Sequence, residues 1–157
     1  MIMTRRLFPV LAFLSLTVPA LAQDAAKTPY WASVRSEEVN MRVGPGEDYR
    51  IVWVYKRPLL PLKVLRMKEG WRYVQDPGGA RGWVLGSLLA RKRGGYIQGK
   101  EPAEMREGAG AGSKLLWRLA PGVIGELGDC KNGWCLFAVG SRKGFVPQER
   151  IWGAGEP

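Results

Sequence analysis

Cys130 and Cys135 are the two thiols of the 157-residue chain, and they flank Lys131-Asn132-Gly133-Trp134. Asn-Gly favours a two-residue type I′ hairpin turn, which needs positive φ at both central positions. Lys131 and Trp134 would then close the turn, and the cysteines would face each other one step further out. Side chains so placed lie about 4.5–5.5 Å apart at Cβ, within disulfide reach. A structural Cys130–Cys135 disulfide is therefore expected, pinning the hairpin rather than closing a long loop. Redox or zinc chemistry fits less well, because four residues separate the thiols and two thiolates do not complete a tetrahedral site. No metal site and no cofactor is expected.

The chain has no His, which removes Ser-His and Cys-His nucleophile pairs. Its 14 acids are scattered, and none sits in an evident apolar pocket suited to acid/base work. The expectation is a protein that is not an enzyme and has no catalytic residues. Binding chemistry is better represented. Lys and Arg number 24 against 14 acids, a formal charge of +10, which favours anionic partners. The excess is uneven: Val39 to Arg93 holds twelve bases against four acids, a net +8, whereas Tyr96 to Trp152 holds eight against six, a net +2. In the basic half, cations from Arg42 to Arg93 interleave with rings. Arg42, Tyr49, Trp53, Tyr55, Trp71, Tyr73 and Trp83 form the candidate binding set. Such a mixture suits an anionic polymer bearing sugars or flat rings.

The segments that position these residues begin after an export signal. Arg5 and Arg6 precede an apolar run from Leu7 to Val18 that ends in Ala20-Leu21-Ala22. That pattern predicts a signal peptide over residues 1–22, cleaved between Ala22 and Gln23. The mature chain would be periplasmic or secreted, with no integral membrane segment, and nucleic acid would be an unlikely partner there. Residues 23–35 read as a flexible lead in which Tyr30 and Trp31 could pack on the first folded unit.

Gly 21, Pro 11 and 10% aromatics favour many short strands joined by tight turns. Val39, Met41 and Val43 alternate with polar residues, and Gly44-Pro45-Gly46 forces a turn. Further strands are predicted over Ile51–Tyr55, Leu62–Met67, Trp71–Gln75 and Gly82–Leu85. The first of these, Ile51–Tyr55, is apolar at every position, so it is either covered on both faces or exposes an aromatic stripe. Asp76-Pro77-Gly78-Gly79 is the turn between the last two. Five such strands fit a small bent barrel over 36–90. Arg91-Lys92-Arg93-Gly94-Gly95 reads as a linker, 96–152 as a second barrel and 153–157 as a tail.

The second barrel is a repeat of the first. Met41-Arg42-Val43-Gly44 corresponds to Met105-Arg106-Glu107-Gly108, and Trp53 to Trp117. Gly70-Trp71 corresponds to Gly133-Trp134, and Gly82-Trp83-Val84 to Gly144-Phe145-Val146. Offsets of 64, 63 and 62 place single deletions in turns.

Val39-Asn40-Met41-Arg42-Val43-Gly44-Pro45-Gly46, the Gly-Trp beats at 70 and 82, and Leu88-Leu89 together resemble the bacterial Src-homology-3-like domain family. The resemblance implies an all-β chain of two tandem five-stranded barrels that binds cell-envelope material, peptidoglycan or its peptides. A scaffold or accessory subunit docking on an envelope protein is the alternative. The second copy departs from the pattern, with Glu104 in place of the family's Asn. A proline-recognition groove is not expected: Pro147 matches its proline, but Arg150 stands at its tyrosine, and Leu85 and Leu88 occupy both places in the first copy. Pro58-Leu59-Leu60-Pro61 reads as a loop feeding the third strand rather than a ligand.

Overall fold

The computed structural model describes residues 27–157; the expected signal peptide lies outside them. Its strands fall into two sheets of identical plan. The first contains β1 (Tyr30–Val34), β2 (Val39–Arg42), β3 (Ile51–Tyr55), β4 (Pro61–Lys68), β5 (Trp71–Gln75), β6 (Arg81–Leu85) and β7 (Leu89–Ala90). Their order is β3-β2-β6-β5-β4-β1-β7, antiparallel throughout. The second contains β8 (Gly94–Ile97), β9 (Ala103–Arg106), β10 (Leu115–Leu119), β11 (Ile124–Lys131), β12 (Trp134–Val139), β13 (Arg142–Pro147) and β14 (Ile151–Trp152). Its order, β10-β9-β13-β12-β11-β8-β14, repeats the first step for step. A single 3-10 turn precedes the last strand of each, at Gly86–Leu88 and Gln148–Arg150.

Alternation decides which side chains face inward. Val39 and Met41 are buried while Asn40 and Arg42 are half-buried, and Ala103 and Met105 repeat this against Glu104 and Arg106. Val64, Val74 and Val84 close the first core with Leu62; Phe137, Val146 and Leu127 close the second. Each fully buried side chain of this kind contributes about 1.5–3 kcal/mol. The glycine of the last Gly-aromatic beat has a packing cause. A Cβ at Gly82 would lie 2.5 Å from Met41 Cγ and 2.9 Å from the Arg42 carbonyl oxygen, and one at Gly144 would lie 2.6 Å and 2.7 Å from the corresponding atoms of Met105 and Arg106. The motif records two strands crossing too closely for any side chain.

The all-β reading holds, but each sheet has seven strands rather than five. The additional strands come from segments read as a lead and a linker. Tyr30–Val34, expected to be flexible, pairs with β4 and β7 and buries Ala32, Ser33 and Val34. Gly94-Gly95, expected in a linker, begins β8, where both residues are buried. The eight-residue strands β4 and β11 each have a free flank, which β1 and β8 cover. Tyr30–Val34, Gly94–Ile97 and the two-residue strands β7 and β14 show no clean alternation of apolar and polar residues by which a sequence would mark them.

The basic run between the repeats is a fastening. The Arg91 guanidinium stacks 3.8 Å from the Tyr30 ring centroid, Lys92 pairs with Glu126, and Arg93 donates to the Gly128 carbonyl at 3.3 Å. Tyr96 and Ile124 of the second barrel pack against the first barrel's core.

Candidate binding surface

Strand registers bring part of the candidate set into one row. Arg42 is opposite Trp83, Trp83 is opposite Tyr73, and Tyr73 is opposite Arg66. Because Met41, Val84 and Val74 point into the core, their neighbours in the row occupy the outer face of the sheet. Tyr73 and Trp83 lie 5.2 Å apart at their ring centroids, tilted by 51°. The Arg66 guanidinium sits 4.5 Å from the Tyr73 centroid and 5.9 Å from that of Trp83. Trp71 lies two residues before Tyr73, in the adjacent row between Lys68 and Leu85. The result is a half-buried aromatic strip bordered by cations, without a carboxylate in the row.

Arg42 has a second task, and the remaining members of the set lie outside the row. Arg42 donates to the carbonyls of Glu47 and Tyr49, at 2.7 Å each, and so holds the loop between β2 and β3. Tyr49 lies across Gly44, whose missing side chain leaves room for the ring. Trp53 stands apart on β3, 56% exposed and the most open large hydrophobic side chain of the first barrel. Tyr55 turns inward. It is buried, and its hydroxyl donates to Asp76 Oδ2 at 3.1 Å. Burial, then the Asp76 charge and its hydrogen bond, hold the Tyr55 phenol well above the usual tyrosine range. Asp76 Oδ1 accepts the Ala80 N–H at 2.8 Å, fixing the turn between β5 and β6.

Arg66 and Asp76 were absent from the candidate set. Arg66 was legible by counting: if Lys68 faces Trp71 across the turn, Arg66 faces Tyr73. Nothing local marks Asp76 as Tyr55's partner, since the two meet only when β3 crosses beside the 76–80 turn.

The same row in the second barrel reads Arg106, Phe145, Leu136. Asp129 holds the chain position corresponding to Arg66, and Arg106 is paired with Glu104 and bonded to the Ser113 carbonyl. One ring and one cation remain, but Leu136 replaces the second ring and an acid stands where the first barrel has Arg66. The cysteines meet as expected: Cys130 faces Cys135 and Lys131 faces Trp134. Asn132 and Gly133 have φ of 53° and 77°, and the disulfide is formed. Arg150, at the groove tyrosine's place, bonds instead to the carbonyls of Gln98 and Glu101. Pro61 is buried at the start of β4, which rules out the Pro58–Pro61 segment as an exposed ligand.

Among the described residues no group of three or more His, Cys, Asp or Glu could hold a metal ion, and no helix is long and apolar enough to cross a membrane.

Two duplicated antiparallel sheets, each closed by a 3-10 turn, define a tandem of Src-homology-3-like barrels. The bacterial SH3 domain family model matches residues 35–90 and 99–153, and the chain belongs to that family. It is 26% identical over 135 residues to a Bacillus subtilis (strain 168) protein provisionally assigned as the N-acetylmuramoyl-L-alanine amidase YrvJ. That alignment takes in 79% of this chain and 26% of the relative, so the chain spans about a quarter of the relative's length. Among solved structures, NlpC1 and NlpC2 from Trichomonas vaginalis align with 87% and 80% of this chain and 50% and 48% of their own. Their identities are 10% and 9% and their TM-scores 0.36 and 0.35, values from which no common architecture follows.

Proposed function

We propose that this chain is an exported, non-enzymatic module that binds cell-envelope material, peptidoglycan or its peptides, through the outer face of its first barrel. The observation that carries this is the Arg42–Trp83–Tyr73–Arg66 row, rings flanked by cations with no acid among them. A sugar or peptide backbone lies flat on such rings while its carboxylates meet Arg66 and the neighbouring Lys68. Membership of the bacterial SH3 domain family and the likeness to a protein provisionally assigned as an N-acetylmuramoyl-L-alanine amidase support an envelope setting. The replacement of Tyr73 by Leu136 and of Arg66 by Asp129 in the second barrel's row supports a division of labour in which the first binds and the second braces.

Sedimentation with purified peptidoglycan across a salt series tests the reading. The mature protein should co-sediment at low salt and be released as screening grows. Replacing Trp83 and Tyr73 by Ala should weaken binding by about tenfold or more, as loss of central aromatic contacts does. No sedimentation at low salt refutes wall binding.

A further inference from the structure

Strand β3 is the edge of its sheet and is hydrogen-bonded to β2 alone. Ile51, Val52, Trp53 and Val54 are all exposed along it. An apolar edge with open backbone groups is a template for another strand, and proteins ordinarily cover or charge it. The fold does not require the exposure. In the corresponding strand β10, Leu115, Leu116 and Trp117 are half-buried, and Trp117 packs on the second core with Arg142 5.8 Å from its ring centroid.

The far end of β3 runs into a cleft of about 400 Å³ between the barrels, within the range of small-ligand sites and at the kind of boundary where they occur. Trp53 and the second barrel's Tyr96 line it, Tyr55 and Asp76 lie within it, and Lys56 and Arg57 contribute its cations. Among the described residues Lys56 has a loose, exposed partner, Glu38 at 3.6 Å. Arg57 gives one N–H to the Gly122 carbonyl at 3.2 Å, which leaves further donors in its fork. Asp76, the acid in the lining, already accepts from Tyr55 and Ala80.

We propose that β3 and this cleft form one site for an extended peptide ending in a free carboxylate. The peptide adds to β3 as a strand, its apolar side chains lie on Ile51–Val54, and its carboxylate meets Lys56 and Arg57 beside Trp53 and Tyr96. A peptide is favoured over an oligosaccharide because only a peptide carries amides at the spacing an edge strand matches. It is favoured over a second copy because a β3 self-pair brings no chain terminus to the cleft. The site uses neither Tyr73 nor Trp83 and does not depend on wall binding.

The probe is acetyl-Val-Thr-Val-Ala as the free acid and as its C-terminal amide, titrated into the isotope-labelled mature protein and followed by NMR. The acid should bind at least about tenfold tighter than the amide, the effect of one charged contact pair. Shifts should run from Ile51 to Arg57 and also reach Tyr96 and Ile124. Lys56→Gln with Arg57→Gln should abolish the preference for the acid, while Lys131→Gln on the second barrel's exposed turn should keep it. Equal binding of acid and amide overturns the proposal, as does absence of binding at millimolar acid or a Tyr96 signal that does not move. Concentration-dependent dimerisation with protection of the Ile51–Val54 amides assigns the edge to a second copy and overturns it too. Peptidoglycan sedimentation of the Lys56/Arg57 variant keeps the two readings separable.

Discussion

Tyr55 shows how one residue can leave a binding set and acquire another role. Its ring is buried, and its hydroxyl gives the Asp76 carboxylate one of its two donors. Tyr55→Phe keeps the ring but removes the hydroxyl from Asp76, leaving a buried carboxylate oxygen unpaired, and should cost about 1–3 kcal/mol in urea unfolding. The pH dependence has a defined sign. The folded phenol ionises at higher pH than the unfolded one, so its contribution is complete below about pH 10 and is lost as pH rises beyond it. The stability gap between the native protein and Tyr55→Phe should therefore shrink above about pH 10; a gap that stays constant or widens there contradicts the assignment. In the sequence Tyr55 looked like the other rings, because period-two alternation separates inside from outside only when polar residues mark one face, and Ile51-Val52-Trp53-Val54-Tyr55 has none.

At the scale of the element, the β11–β12 hairpin was fully legible. Asn132-Gly133 sets the turn, the turn sets the register, and the register puts the cysteines opposite each other. Local chemistry sufficed because every interaction lies within six residues. Closing so short a loop restricts the unfolded chain only slightly, so replacing both cysteines by Ser should cost about 2 kcal/mol and leave the hairpin paired. Chemical denaturation of the Ser variant checks the magnitude, and hydrogen exchange at Lys131 and Trp134 checks the pairing. The first barrel has Met67 opposite Arg72 at the same place and forms its hairpin without a cross-link. Strands β1 and β8 are the opposite case, because their identity comes from the vacant flanks of β4 and β11 and not from their own residues.

For the whole molecule, the contact between barrels is the new feature. Trp31 and Trp152 meet edge to face with centroids 5.2 Å apart, and Lys63 lies 5.5 Å from each ring. Trp31 Nε1 donates to the Gly155 carbonyl at 3.1 Å, so residues read as a tail help close the joint. Gly94 lies directly against the Leu59 carbonyl, where a side chain would have no room. Gly94→Val should therefore separate the barrels' unfolding. Calorimetry should show one transition for the native chain and two for the variant, and a single unshifted transition would refute the coupling. A barrel of about 55 residues is marginal alone, and here the second completes the first's core through Tyr96 and Ile124.

The sequence by itself determined the repeat, the all-β character, the turns, the disulfide and the basic bias of the first copy. All of these depend on neighbours along the chain, on alternation, or on charge counts. Only the tertiary structure decided which rings face solvent, that Tyr55 reaches Asp76, that Arg91 to Arg93 fasten rather than link, and that a cleft lies between the barrels. Those facts depend on residues distant in sequence meeting across sheet crossings and across the joint between domains. No local periodicity encodes such meetings.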